Sequence, residues 1–373
     1  MRLFNHAVFA GRMISAAITG RRFPLITSLA VTNRCNMRCI YCYGSYFDRD
    51  IKDFPFAFWR GLIDEAAGMG TALIQLGGGE PLLRDDIGEF ITYIKSRGMI
   101  CRMNSNGILV PEKINVLKKL DSLCISLDGD EESNDKNRGK GTYKKIVEGI
   151  RAAKRCGLPV LTSTVLTANN VASGAIENIL SLAKEIGFGA QFNFLYEQTA
   201  ALMDDEACIV KERSLKDAVA KLIRYKEKGW PVFYSTASYA NALNWPVSYV
   251  VKKFTSETPP PAGFKYIPCY MGKFMCFVDG DGKIYPCGEH IGTFPALNVL
   301  DVGFKKAWEN VSARKDCITC YNTCFNEYNQ LFDLRPGVVW NNLMNYMRGG
   351  GIFGKNTPTP HPEERSDEGS IQV

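Results

Sequence analysis

Leu25-Ile-Thr-Ser-Leu-Ala-Val-Thr32-Asn-Arg-Cys35-Asn-Met-Arg-Cys39-Ile-Tyr-Cys42 decides how this chain reads. Its first eight residues are mostly apolar or β-branched and predict a strand over 25–32. Three cysteines then follow on one short loop at the strand's carboxyl end. Three thiolates placed so closely can grip three corners of a 4Fe–4S cube, leaving the fourth iron without a protein ligand. Such an iron can chelate a ligand, much as a catalytic zinc keeps a vacant position. A structural zinc knot is the alternative. It needs a fourth ligand, and nothing at zinc-like spacing accompanies this loop.

Outward from this loop, short β-branched runs alternate with helical periodicity. Strands are predicted over 25–32, 71–76, 100–105, 122–127, 160–166 and 189–195. Helices are predicted over 56–69, 85–97, 111–120, 142–156, 175–186 and 214–228. Alternation with short connections implies parallel strands joined by right-handed crossovers, in an open doubly wound sheet or a partial barrel. Either arrangement collects ligands at the carboxyl ends of the strands.

Those ends are polar four times in succession. The second strand runs into Gly77-Gly78-Gly79-Glu80-Pro81, where glycines admit close backbone approach and a carboxylate suits an ammonium group. The third ends in Asn104-Ser105-Asn106-Gly107. The fourth ends in Ser126-Leu127-Asp128-Gly129, with Arg138-Gly139 shortly after. Any one tip reads equally as turn chemistry or a helix cap. Four on one rim point to a ligand.

CxxxCxxC after the first strand and GGEP after the second, in a βα-repeating chain, resemble the radical S-adenosylmethionine (SAM) superfamily over about residues 24–200. The resemblance implies an α/β fold, a partial (βα)6 radical SAM barrel. It implies that Cys35, Cys39 and Cys42 hold a 4Fe–4S cluster whose open iron binds SAM's methionine end. Tyr41 would lie near the adenine, and Gly78, Gly79 and Glu80 would meet the methionine amino group. Ser126, Asp128 and Arg138 would contact the ribose and carboxylate, and the Leu195 backbone would approach the adenine. Ser105 and Asn106 complete the expected SAM rim. The family often has His-Asp where this chain has Asn134-Asp135, a subfamily mark. The implied chemistry is one electron from an external flavodoxin- or ferredoxin-type reductant, cleavage of SAM to methionine and a 5′-deoxyadenosyl radical, and hydrogen abstraction from a substrate. The protein supplies orientation and exclusion of water. A peptide-modifying maturase competes with a modifier of lipids, sugars or other small molecules, and a non-enzymatic metal-binding scaffold is the remaining reading.

After about residue 230 the texture changes. Pro259-Pro260-Pro261 breaks the chain, and residues 274–278 and 283–285 flank Asp279-Gly280-Asp281-Gly282, a hairpin signal. Cys269, twelve residues, Gly282, four residues and Cys287, then Cys317-Ile-Thr-Cys320, resemble a SPASM/twitch-type module, in the shorter twitch form. The resemblance implies a second 4Fe–4S cluster on Cys269, Cys287, Cys317 and Cys320. Cys324 is either an alternative to Cys320 or spare, and Cys276 falls on a strand face with Phe274 and Val278 as core. A zinc ribbon is the competing reading of the pairs. The expected organisation is an N-terminal apolar and basic helix over 1–23, a radical SAM core over 24–230, a cysteine-rich twitch-like module over 231–348 and a disordered tail over 349–373, rich in glycine, proline and charge.

Composition is consistent with an intracellular enzyme. The chain has 373 residues, 46% of them apolar, a net charge of +6, and basic residues scattered among acids, so no nucleic-acid footprint is expected. Thirteen cysteines without a secretory signal favour metal or redox chemistry over disulfides and predict a cytoplasmic protein. Cys101, Cys124, Cys156 and Cys208 stand alone and are expected to pack as small apolar side chains. In the first helix Leu3, Ala7, Ile14 and Ile18 share one face, which is expected to pack on the barrel, with membrane-surface docking as the alternative.

Overall fold

The computed structural model describes residues 2–196, 208–314 and 317–348; the predicted tail lies outside the described residues. Strands are β1 (Ile26–Thr32), β2 (Leu73–Gly78), β3 (Ile100–Ser105), β4 (Ser122–Ser126), β5 (Val160–Val165), β6 (Gly189–Asn193), β7 (Lys253–Thr255), β8 (Met275–Val278), β9 (Ile284–Tyr285) and β10 (Cys317–Cys320). Helices are α1 (Arg2–Thr19), α2 (Phe56–Met69), α3 (Ile87–Ser96), α4 (Val110–Leu117), α5 (Glu131–Arg138), α6 (Thr142–Arg155), α7 (Ala168–Val171), α8 (Ala175–Ile186), α9 (Glu212–Glu227), α10 (Thr236–Leu243), α11 (Val299–Ser312), α12 (Thr323–Phe332) and α13 (Pro336–Arg348).

The sheet order is β6-β5-β4-β3-β2-β1-β8-β9, with β1 to β6 parallel and each strand beside its predecessor in sequence. Without a reversal of strand order, right-handed crossovers put every connecting helix on the same face. The sheet therefore curls as a partial barrel. Its outer face buries Leu29, Ile74, Leu123 and Ile125 against Trp59, Ile63, Phe90 and Ile150 of the helices. Each such aliphatic side chain is worth about 1.5–3 kcal/mol.

Two features close the barrel. At the amino ends of the strands α1 buries Met13 and Ala16 with Leu25, Ala72, Leu73 and Ile100, and Arg12 Nη1 donates to the carbonyls of Gly70 and Thr71 at 3.0 and 3.1 Å. The packed face is thus Asn5, Phe9, Met13 and Ala16, not the face expected from periodicity. Leu3, Phe4 and Ile18 stay 58%, 69% and 78% exposed. The reason is Arg12: its reach to two strand-end carbonyls turns the helix. On the side, α12 spans the gap from β6 to β8. Thr323 Oγ1 donates to the Phe192 carbonyl at 2.9 Å, and Phe332 meets Phe274 with ring centroids 5.2 Å apart.

The hairpin predicted around Asp279–Gly282 exists as β8 and β9, but β8 pairs in parallel with β1, Ile26 facing Met275 and Leu29 facing Val278. The cysteine-rich region is therefore stitched into the main sheet. Cys276, on β8, is fully buried beside Thr27, as expected of a core residue. Of the lone cysteines, Cys101 and Cys208 are buried, whereas Cys156 is exposed and Cys124 is half-buried.

Candidate active site

The cysteine loop is held from three sides. On the first, the Gly79 and Glu80 amides donate to the carbonyls of Thr32 and Arg34 at 3.0 and 2.8 Å. On the second, the hairpin turn reaches across: Asp279 accepts from Tyr46 Oη at 2.8 Å and from Arg49 Nη1 at 2.9 Å, and Asn33 Nδ2 donates to the Gly280 carbonyl at 2.8 Å. On the third, the Ile40 amide donates to the Asn137 carbonyl at 3.0 Å and Arg138 Nη1 approaches Cys39 Sγ at 3.7 Å.

The glycines serve this docking. A Cβ on Gly79 would stand 2.0 Å from the Arg34 carbonyl oxygen, and one on Gly78 (φ +113°) 2.7 Å from that of Thr32. Gly79→Ala is expected to cost about 1–3 kcal/mol as overpacking against backbone. Gly77→Ala, where nothing lies within 4 Å, should leave thermal unfolding unchanged. Equal melting of the two variants would remove this account.

A cavity of about 350 Å³ opens at the carboxyl ends of the strands. Of the residues expected at the site, Cys35, Cys39, Cys42, Tyr41, Gly78, Gly79, Ser105, Asn106, Ser126, Arg138 and Leu195 line it. Glu80 and Asp128 do not; both are fully buried behind the wall. Glu80 accepts from the Leu82 amide (3.0 Å), Ser105 Oγ (2.9 Å) and the Asn106 amide (2.7 Å), tying three strand tips together. Burial raises its carboxyl to about 7 against those donors. Asp128 accepts from the Val165 amide at 3.0 Å and from the Tyr41 hydroxyl, and pairs with Arg138 Nε at 2.7 Å. Desolvation works to lower the Arg138 guanidinium, but Asp128, Tyr41 and Cys39 together outweigh it and raise it. Tyr41, Asp128 and Arg138 thus form a buried interlock whose outer atoms face the cavity. Asn134, at the subfamily position, accepts from the Asp128 amide at 3.2 Å.

The three loop thiols are half-buried and face the same space. Burial pushes Cys35 up to about 12, with Glu80, Cys39 and Cys42 adding repulsion; Cys39 is raised by burial and eased by Arg138. Thiols gathered this way repel one another once ionised. A group bringing iron's positive charge fits that donor set, and three donors on one loop leave a cube one open corner.

Cys269, Cys287, Cys317 and Cys320 converge from the residues before β8, the residues after β9, and β10. Cys269 is held well above its ordinary value by its hydrogen bond to Cys317 and by burial, with Cys320 and Cys287 adding repulsion. Cys317 is held low by the bond from Cys269 and another from His290. Cys324 packs against the same apolar cluster and shares Glu289 with Cys287 and Cys320. Burial pushes it up to about 12, and its neighbours are Glu289, Cys124 and Tyr234; it lines the central cavity. Cys287 belongs to the converging set and also lines that cavity.

The deeper lining was not foreseen: Gln75, Arg102, Cys124, Ser163, Gln191 and Tyr328. A signal existed. Strands covered on both faces are usually near-continuously apolar, whereas β2 to β6 carry polar residues at alternate positions, such as Arg102 and Asn104 or Gln191 and Asn193.

The family model "Radical SAM superfamily" matches residues 29–183. The chain is 30% identical over 297 residues to the Fe-coproporphyrin III synthase of Methanosarcina barkeri, covering 76% of this chain and 73% of that protein. It is 26% identical over 324 residues to the mycofactocin maturase MftC of Mycobacterium tuberculosis, covering 81% and 74%. Its fold is similar to that of Streptococcus suis SuiB bound to the precursor peptide SuiA, with a TM-score of 0.59 at 15% identity over 80% of this chain and 68% of that one. A cysteine loop docked on a glycine turn at the rim of a partial barrel, and relatives that span three quarters of the chain, place this protein in the radical SAM superfamily.

Proposed function

We propose that Cys35, Cys39 and Cys42 hold the SAM-binding 4Fe–4S cluster, and that Tyr41, Gly78, Gly79, Ser105, Asn106, Ser126, Arg138 and the Leu195 backbone cradle SAM beside it. The observation that carries this reading is that all of these residues face one cavity. When bound, the cluster supplies the electron that breaks SAM's carbon–sulfur bond. The chain does the rest. Arg138, neutralised by Asp128, steadies the Cys39 sulfur, and Glu80 holds the tips of β2 and β3 in register. Glu80 and Asp128 act from behind the wall, positioning what touches SAM. Residues 24–230 form the core in this reading and 231–348 the auxiliary module, with a flavodoxin- or ferredoxin-type protein as reductant. Anaerobic, iron-loaded protein reduced with dithionite should convert SAM to methionine and 5′-deoxyadenosine in equal amounts. SAM left intact would overturn the reading.

A second 4Fe–4S cluster on Cys269, Cys287, Cys317 and Cys320 belongs to the same proposal. Their mutual electrostatic influence supports it. Cys324 is left out of the ligand set in this reading because the groups acting on it are Glu289, Cys124 and Tyr234, none of them a cysteine of the set. A peptide substrate is the second reading, supported by the likeness to a maturase and to an enzyme solved with its precursor peptide.

No helix among the described residues is long and apolar enough to cross a membrane. A surface contact is supported by the outward face of α1, by Trp340 of α13 at 62% exposure, and by the meeting of the two helices at His6 and Tyr346, whose rings lie 4.5 Å apart. Residues 1–47 contain no Asp or Glu. An apolar face with basic flanks and tryptophan suits an anionic lipid surface. The full chain should sediment with phosphatidylserine-containing vesicles, less so at high salt, and Ile18→Glu should release it. A chain that stays in solution with neutral and anionic vesicles alike would sink this reading.

A further inference from the structure

Arg102 is the one charged residue of the cavity lining that forms no ion pair with a described residue. The lining holds two cations, Arg102 and Arg138, and no Asp, Glu, Lys or His. Arg138 is paired with Asp128. Arg102 sits on β3 between Gln75 of β2 and Ser122 of β4, both uncharged. Its other neighbours are the Tyr328 hydroxyl and the Cys124 thiol. A guanidinium taken partly out of water without a counter-charge is costly. It has five donors in a planar fork matched to carboxylate and phosphate oxygens.

Its depth separates it from the rim. Arg102 precedes Ser105 by three residues on the same strand, so its Cα lies roughly 10 Å below the tip. Tyr328 stands one helical turn from Cys324 on α12, and both line the cavity. A molecule entering the lumen from the SAM rim therefore meets this wall at its far end.

We propose that Arg102, with Tyr328 beside it, forms an anion-binding subsite in the barrel lumen, so that the substrate presents a carboxylate or a phosphate there while its reacting carbon stays near the strand tips. This inference rests on the radical SAM reading of the cavity. It adds a substrate class to it: an anionic molecule, or a peptide anchored through an acidic group.

The test uses the full chain, iron-loaded and saturated with SAM so that SAM's own carboxylate is already accommodated. Inorganic phosphate and acetate are titrated separately by calorimetry at low ionic strength. One saturable site per chain is expected for at least one of them, weakened tenfold or more in Arg102→Gln and partly retained in Arg102→Lys, which keeps the charge without the fork. A preference for phosphate identifies a phosphate ester as the anionic group, and a preference for acetate identifies a carboxylate. The proposal is overturned if wild-type protein binds neither anion, or if Arg102→Gln binds as wild type does. It is also overturned if Arg102→Gln loses SAM affinity in parallel, which would assign Arg102 to SAM. Should Arg102→Gln fail to fold, Arg102→Lys and the wild-type titration decide. Wild-type protein that does not bind SAM at all brings down the underlying reading and this inference with it.

Discussion

Replacing Cys35, Cys39 and Cys42 together by alanine is expected to reduce 5′-deoxyadenosine formation to background while leaving the chain folded. The two halves of this expectation have separate causes. The thiols stand on a loop outside every strand and are only half-buried, so their removal opens no large cavity in the core. Changes at such positions usually cost about 1 kcal/mol or less each. Most of what orders the loop, the backbone docking of Gly79 and Glu80 on Thr32 and Arg34 and the clamp of Asp279 on Tyr46 and Arg49, involves no sulfur; only the approach of Arg138 to Cys39 is lost. Far-ultraviolet circular dichroism and the thermal midpoint of the iron-free proteins should therefore agree within a few degrees. Activity has no such reserve in the proposed reading, where the electron that breaks the carbon–sulfur bond would enter through the cluster held by these thiols. A triple variant that is folded and still forms 5′-deoxyadenosine would place the chemistry elsewhere. One that unfolds would show that the loop is ordered through its cysteines rather than through its backbone.

Sequence patterning carried most of the core. The alternation of β-branched runs with helical periodicity located β1 to β6 within about two residues. The larger errors sit at β2, predicted to end at Leu76 but continuing through Gly77 and Gly78 as they pair with β1, and at β6, which stops at Asn193. The βα alternation alone leaves open the choice between a doubly wound sheet and a partial barrel, because strand order is a tertiary property; the partial barrel came from the resemblance carried by the cysteine and GGEP motifs, and the sheet order bears it out. Within the site, residue types were readable and their depth was not. Glu80 and Asp128 read as ligands because they sit at strand tips, yet neighbouring donors draw both beneath the surface: Ser105 and Asn106 for Glu80, Val165 and Tyr41 for Asp128. Arg102 escaped notice because one charge in a strand has no motif; its meaning comes from the uncharged residues that other strands place around it. The face of α1 was misjudged since periodicity measures where apolar residues gather, not which face a polar anchor such as Arg12 turns inward.

Iron content separates the two cysteine sets. Wild-type protein should carry about eight irons per chain, and the triple loop variant about four, with the broad visible absorption of a fully thiolate-ligated cluster. Cys269, Cys287, Cys317 and Cys320 act on one another from three chain segments, so if they hold the proposed second cluster, removing any one would leave a cube with an unligated corner in a buried place. Cys287→Ala and Cys317→Ala, each made in the triple variant, should drop iron to near zero. Cys324→Ser should not, because the groups acting on Cys324 are Glu289, Cys124 and Tyr234, none of them a cysteine of this set. Cys276→Ser should not either, since Cys276 is packed between β8 and Thr27. A zinc ribbon gives about four irons and one zinc in wild type, and a colourless, zinc-bearing triple variant. That last result would end the second-cluster proposal.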